Sequence, residues 1–123
     1  MNAAVTIDFG GGTASAGIVR IAVEQAQVAL GLNEGVATGI GGSFTNIAIL
    51  AGAVSFATAA GGTFGGTLTL MLQWSGQDPA VTLDNLSFAH GNAATITWPT
   101  ADGQQTQILT PGNPLTLNGI VGS

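Results

Sequence analysis

The chain has 123 residues, of which 46% are hydrophobic and 6% charged, with one basic and six acidic groups and a formal net charge of -5; an ordinary soluble domain carries about 25% charged residues. One arginine cannot displace counterions along a phosphate backbone, which excludes nucleic-acid binding, and a chain without cysteine forms neither a disulfide scaffold nor a thiolate metal site. The length suits a single domain over residues 1–123 that buries about two-thirds of its unfolded surface.

Taken from the N-terminus, residues 1–4 read as an extended arm free to reach a partner. Val5, Ile7 and Phe9 alternate with Thr6 and Asp8, the signature of a short half-buried strand, which Gly10-Gly11-Gly12-Thr13 ends. Residues 16–30 predict one short amphipathic helix. Ile18, Val19, Ala22, Val23, Ala26, Ala29 and Leu30 share a broad face of a 3.6-residue wheel, and Arg20 and Glu24 stand at the supporting i, i+4 spacing. Ser15 and Gly31 would cap its two ends. A strand over residues 18–23 competes with it, because Ile21 and Val28 fall off the apolar face.

From Val36 onward the signals are β. Residues 46–59 are apolar and interrupted by Gly52, which predicts a buried strand pair turning there; residues 46–60 are too short and too mixed for a membrane span. Residues 67–74 alternate, with Leu68, Leu70, Leu72 and Trp74 on one face. Ser75-Gly76-Gln77-Asp78-Pro79 is a turn cluster. Val81 and Leu83 followed by Leu86 and Phe88 predict a strand with a bulge near Asp84-Asn85. Thr95-Ile96-Thr97-Trp98 leads into Asp102-Gly103, a two-residue hairpin signal that, placed centrally, pairs Ile96 with Leu109 and Trp98 with Gln107. Pro99 lacks a backbone donor and argues for a sheet edge. Pro111 and Pro114 precede a last apolar run, Leu115-Thr116-Leu117. The fold class is therefore mainly β, a small antiparallel β-sandwich or jelly-roll-like barrel of seven or eight short strands with one helix against it.

Motifs that carry chemistry are sparse. Ile7-Asp8-Phe9-Gly10-Gly11-Gly12-Thr13 resembles the phosphate-binding loop of actin and the heat-shock ATPases, which implies glycine amides crowding a nucleotide phosphate. That superfamily uses two such loops in two large lobes, whereas this chain has no second acid-bearing loop, and the segment reads as a glycine turn. His90 is the one candidate general base, with Ser87 and Asp84 near it in sequence, but three residues of separation put Ser87 and His90 on opposite faces of a strand. Asp78, Asp84 and Asp102 fall at turns without the spacing of a calcium loop. No catalytic residue, metal or cofactor is assigned. Trp74 and Trp98 each alternate with core residues and are expected to be buried with their indole N–H groups satisfied. An exposed Trp98 beside Pro99 would instead supply a sugar-stacking platform.

With little charge to cover the outside, the exterior is built from Gly, Ala, Thr, Ser, Asn and Gln, a composition suited to extensive protein contact because lysine and glutamate are depleted at interface cores. The expected function is a non-enzymatic structural assembly subunit, foremost a capsid decoration (cement) protein on the virion exterior, made in the host cytoplasm because no secretion signal is evident. Its expected partners are further copies of itself, for example as a trimer, and a capsid or other protein shell. The expected contact residues are Phe44, Ile47, Phe64, Gln105, Gln107, Leu115, Leu117, Ile120 and Val121. The rivals are a secreted or surface-displayed carbohydrate-binding module and a filament or surface-layer subunit, both extracellular.

Overall fold

The computed structural model describes residues 1–10, 18–32, 44–50, 52–58, 66–84, 93–110 and 112–123. Ten strands run through them: β1 (Asn2–Gly10), β2 (Ile18–Val23), β3 (Gln27–Leu32), β4 (Phe44–Leu50), β5 (Ala53–Thr58), β6 (Gly66–Gln73), β7 (Val81–Asp84), β8 (Ala94–Thr100), β9 (Gly103–Leu109) and β10 (Leu115–Leu117). They form two five-stranded antiparallel sheets, ordered β3-β6-β1-β8-β9 and β10-β7-β2-β5-β4. The inward residues of both sheets share one core, as a β-sandwich requires. Alternation sets the faces: Val5 and Ile7 on β1, Leu68, Leu70 and Leu72 on β6, and Val81 and Leu83 on β7 are all buried.

The helix expected over residues 16–30 is replaced, in residues 18–32, by two strands in different sheets. Val19, Ile21 and Val23 point inward from β2, and Val28 is buried on β3. Between them Glu24, Gln25 and Ala26 form a bend in which Gln25 takes φ 64°. Each half has period two, but the three-residue corner shifts the phase, and the two series together imitate a helical wheel. No helix occurs among the described residues.

The N-terminal residues are not a free arm. Asn2, Ala3 and Ala4 pair with Gln73, Leu72 and Met71 of β6. The Met1 amino group donates to the Trp74 carbonyl at 2.8 Å, and the Trp74 amide donates to the Met1 carbonyl at 3.0 Å. On the other side of β1 lies the C-terminal segment. The Ser123 amide donates to the Asn2 carbonyl at 3.1 Å, the Val121 amide donates to the Pro99 carbonyl at 3.2 Å, and Ile120 bridges Thr100. Pro99 therefore sits on an interior strand, not at the outer edge of the sheet. Its backbone faces the β1 side, where the β1–β8 ladder has ended after Thr6↔Thr97 and the C-terminal segment takes over. The missing donor is thus lost where no regular ladder needs it.

The β8–β9 hairpin turns at Ala101-Asp102, so Trp98 pairs with Gln105, Ile96 with Gln107 and Ala94 with Leu109. The expected register is off by two. Neither Ala101 nor Asp102 has positive φ, and Gly103 takes φ 108° as the residue closing the turn. Glycine is favoured at the last position of a four-residue turn as well as inside it, which is why Asp-Gly misplaces the centre by one residue. The Thr100 hydroxyl anchors the turn, donating to the Gly103 carbonyl at 2.7 Å and accepting from the Asp102 amide at 3.3 Å. Gly103→Ala has open space for its methyl group but an unfavourable φ, and is expected to cost about 1–2 kcal/mol. A urea titration of the variant measures this; an unchanged midpoint would mean that the turn tolerates a side chain.

Candidate functional site: the sheet edges

A strand at the rim of a sheet carries unpaired N–H and C=O groups, and natural proteins usually guard it with lysine, inward-pointing charge, proline or a bulge. In the two sheets the outer strands are β3, β9, β10 and β4. None of the four contains Asp, Glu, Lys, Arg or Pro. Among the described residues, the charged groups that lie within strands occupy interior ones: Asp8 on β1, Arg20 on β2 and Asp84 on β7, with Arg20 standing opposite Asp84. Glu24, Asp78 and Asp102 lie in connections. The usual placement of charge in an edge-protected sheet is inverted.

The four edges differ in how open they are. β4 is irregular, its register with β5 slipping between Thr45 and Ala48, and β10 has three residues. β3 lies against β4 and β5 of the other sheet. β9 pairs with β8 without a slip along its whole length, and six of its seven residues are exposed.

β4 and β9 also expose side chains that the sheet pattern would bury. Ile49 stands opposite the fully buried Val54, yet it is 46% exposed, and its neighbour Leu50 is 70% exposed. Gln105 and Gln107 alternate with Thr106 and share the side of buried Leu109, yet both are exposed. They border an open groove of about 410 Å³ that also touches Thr116 on β10 and Asn118 just after it and has Trp98 in its wall.

Of the expected contact residues, Gln105 and Gln107 share this groove and Leu115 lies half-buried on β10. Phe44 and Ile47 are on β4, at the far end of the other sheet from β10. Val121 is half-buried in the C-terminal segment. Leu117 and Ile120 are corrections: both are 0% exposed and belong to the shared core, so they offer no surface to a partner. Phe64, His90 and Ser87 lie outside the described residues, as do Gly11, Gly12 and Thr13 of the glycine turn. The exposed Ile49, Leu50 and Ile108 were not singled out by sequence, and Ile108 could have been, since it breaks the amide and threonine pattern of its strand.

The sugar-stacking platform is absent at Trp98. The ring is 3% exposed, and its Nε1 donates to the Asn118 carbonyl at 3.2 Å. Trp74 is 4% exposed and its Nε1 has no partner among the described residues. Among those residues no three His, Cys, Asp or Glu side chains gather to hold a metal ion, and no helix is long and apolar enough to cross a membrane. Comparison with protein-family models, curated proteins and solved structures finds no match to this chain.

Proposed function

We propose that the chain is a non-enzymatic assembly subunit, and within that class a decoration protein that fastens to the outside of a capsid or similar protein shell. The observation that carries the reading is the absence of charge, among the described residues, from the four edge strands β3, β9, β10 and β4, while Asp8, Arg20 and Asp84 occupy interior ones. A monomer that must avoid its neighbours places charge where backbone hydrogen bonds are unsatisfied. A subunit that assembles keeps those places neutral, because a charge desolvated at an interface core without a partner is costly. The exposed Met1, Ile49, Leu50, Met71 and Ile108 add apolar area to an outer surface on which threonine, alanine and amide side chains outnumber the charged ones among the described residues.

Size-exclusion chromatography with light scattering on the purified chain tests the reading. A discrete homo-oligomer at micromolar concentration is the expected result. Growth without a defined end would move the protein to the filament and surface-layer class, and a monomer that persists on concentration would remove the assembly reading altogether.

A further inference from the structure

We propose that β9 is a two-fold interface, on which a second copy of the chain adds its own β9 antiparallel and centred on Thr106, joining the two five-stranded sheets into one of ten strands. The inference deepens the assembly reading above and rests on it.

The backbone geometry selects the residues. The Pro99 carbonyl accepts from Val121, so the backbone of Pro99 faces away from β9, and the neighbouring Trp98 and Thr100 face toward it. Their partners Gln105 and Gly103, and by alternation Gln107, use their N–H and C=O groups on β8. Gln104, Thr106 and Ile108 therefore present theirs to the open side. An antiparallel pair centred on Thr106 sets Thr106 against Thr106 of the second copy and Gln104 against Ile108 in both directions. All three outward residues of each strand are then hydrogen-bonded.

The side chains suit the same register. On the outer face the register aligns Thr69, Thr6, Thr97 and Thr106 in one row across β6, β1, β8 and β9. The Thr97 and Thr106 hydroxyls already lie 3.3 Å apart, and a second Thr106 continues the row of threonines across a hydrogen-bonded pair. On the inner face Gln105 meets Gln107 of the second copy, and the reverse, so amides that border an open groove find amide partners. No like charges meet, since β9 has none. The other edges fit less well: β4 has its register slip, β10 offers three residues, and β3 lies against the opposite sheet.

Cysteine crosslinking and light scattering test this in a chain that has no native cysteine. A hydrogen-bonded antiparallel pair holds its Cα atoms about 5.5 Å apart, within disulfide range. Oxidised Thr106→Cys is expected to run as a covalent dimer on a non-reducing gel. Ile108→Cys alone is expected to stay uncrosslinked, and Gln104→Cys combined with Ile108→Cys to crosslink. Thr106→Lys, at an exposed position, is expected to halve the mass seen by light scattering while the melting temperature of the fold persists. A wild-type oligomer with an odd number of copies, or one whose mass survives Thr106→Lys without a Thr106→Cys crosslink, overturns the β9 interface and leaves the assembly reading standing. A monomeric wild-type chain overturns both.

Discussion

Ile21→Lys is expected to abolish cooperative folding, whereas Ala22→Lys, one residue away, leaves the unfolding free energy from a urea titration within about 0.5 kcal/mol of the parent. Ile21 is 0% exposed on β2, paired with Val54 of β5 on one side and Leu83 of β7 on the other, both also 0% exposed. Even Ile21→Ala would cost about 2–5 kcal/mol by leaving a cavity. A lysine there must either bury an unpaired ammonium or force the two central strands apart, and a domain of this size holds only about 5–15 kcal/mol of net stability. Ala22 points outward and is exposed, opposite Thr82 and Ala53. An amphipathic helix would reverse the pair, since its wheel puts Ala22 on the buried face and Ile21 off it. Far-UV circular dichroism with a urea titration on both variants decides the matter, and a tolerated Ile21→Lys would refute the strand.

That pair of residues also shows where the sequence was readable. Residues 67–74 have one period and no corner, and Leu68, Leu70, Leu72 and Trp74 all face the core as their alternation predicts. Residues 18–32 carry two period-two segments joined out of phase, with no glycine or proline between them to mark the crossing from one sheet to the other. The turn at Gly52 was legible from its glycine, and β4 and β5 do pair across it. That β4 would be a rim strand exposing Ile49 and Leu50 was not legible, because strand order follows from long-range pairing and an apolar run reads as buried wherever it lies. Leu117 and Ile120 fail in the opposite sense. They were expected to meet a partner, but β10 completes a sheet and the residues after it run between β1 and β8. Of the residues at the rim, Gln105 and Gln107 were singled out in the sequence for their amide side chains, and both are exposed. Their setting on an uncharged rim needed the sheet order.

The C-terminal segment supplies the last expected result: Gly122→Val lowers the melting temperature by about 10 °C. A Cβ at Gly122 would stand 2.8 Å from the Asn2 carbonyl oxygen, 3.0 Å from the Asn2 nitrogen and 2.8 Å from Cη2 of Trp74. The backbone of β1 cannot yield on one side, and on the other the Trp74 ring is itself buried against the core. Forcing the larger residue in place costs about 1–3 kcal/mol of overpacking. The alternative is for the segment to leave its seat. That exposes Ile120, whose burial contributes roughly 1.5–3 kcal/mol, and breaks the Val121–Pro99 and Asn2–Ser123 hydrogen bonds, each a net ~1 kcal/mol. Either route destabilises the fold, and tryptophan emission separates them. Release of the segment uncovers Trp74 and shifts emission to the red well below the melting temperature, whereas strain in place leaves the ring dry. A variant that melts with the parent would mean that residues 120–123 do not hold β1 to β8.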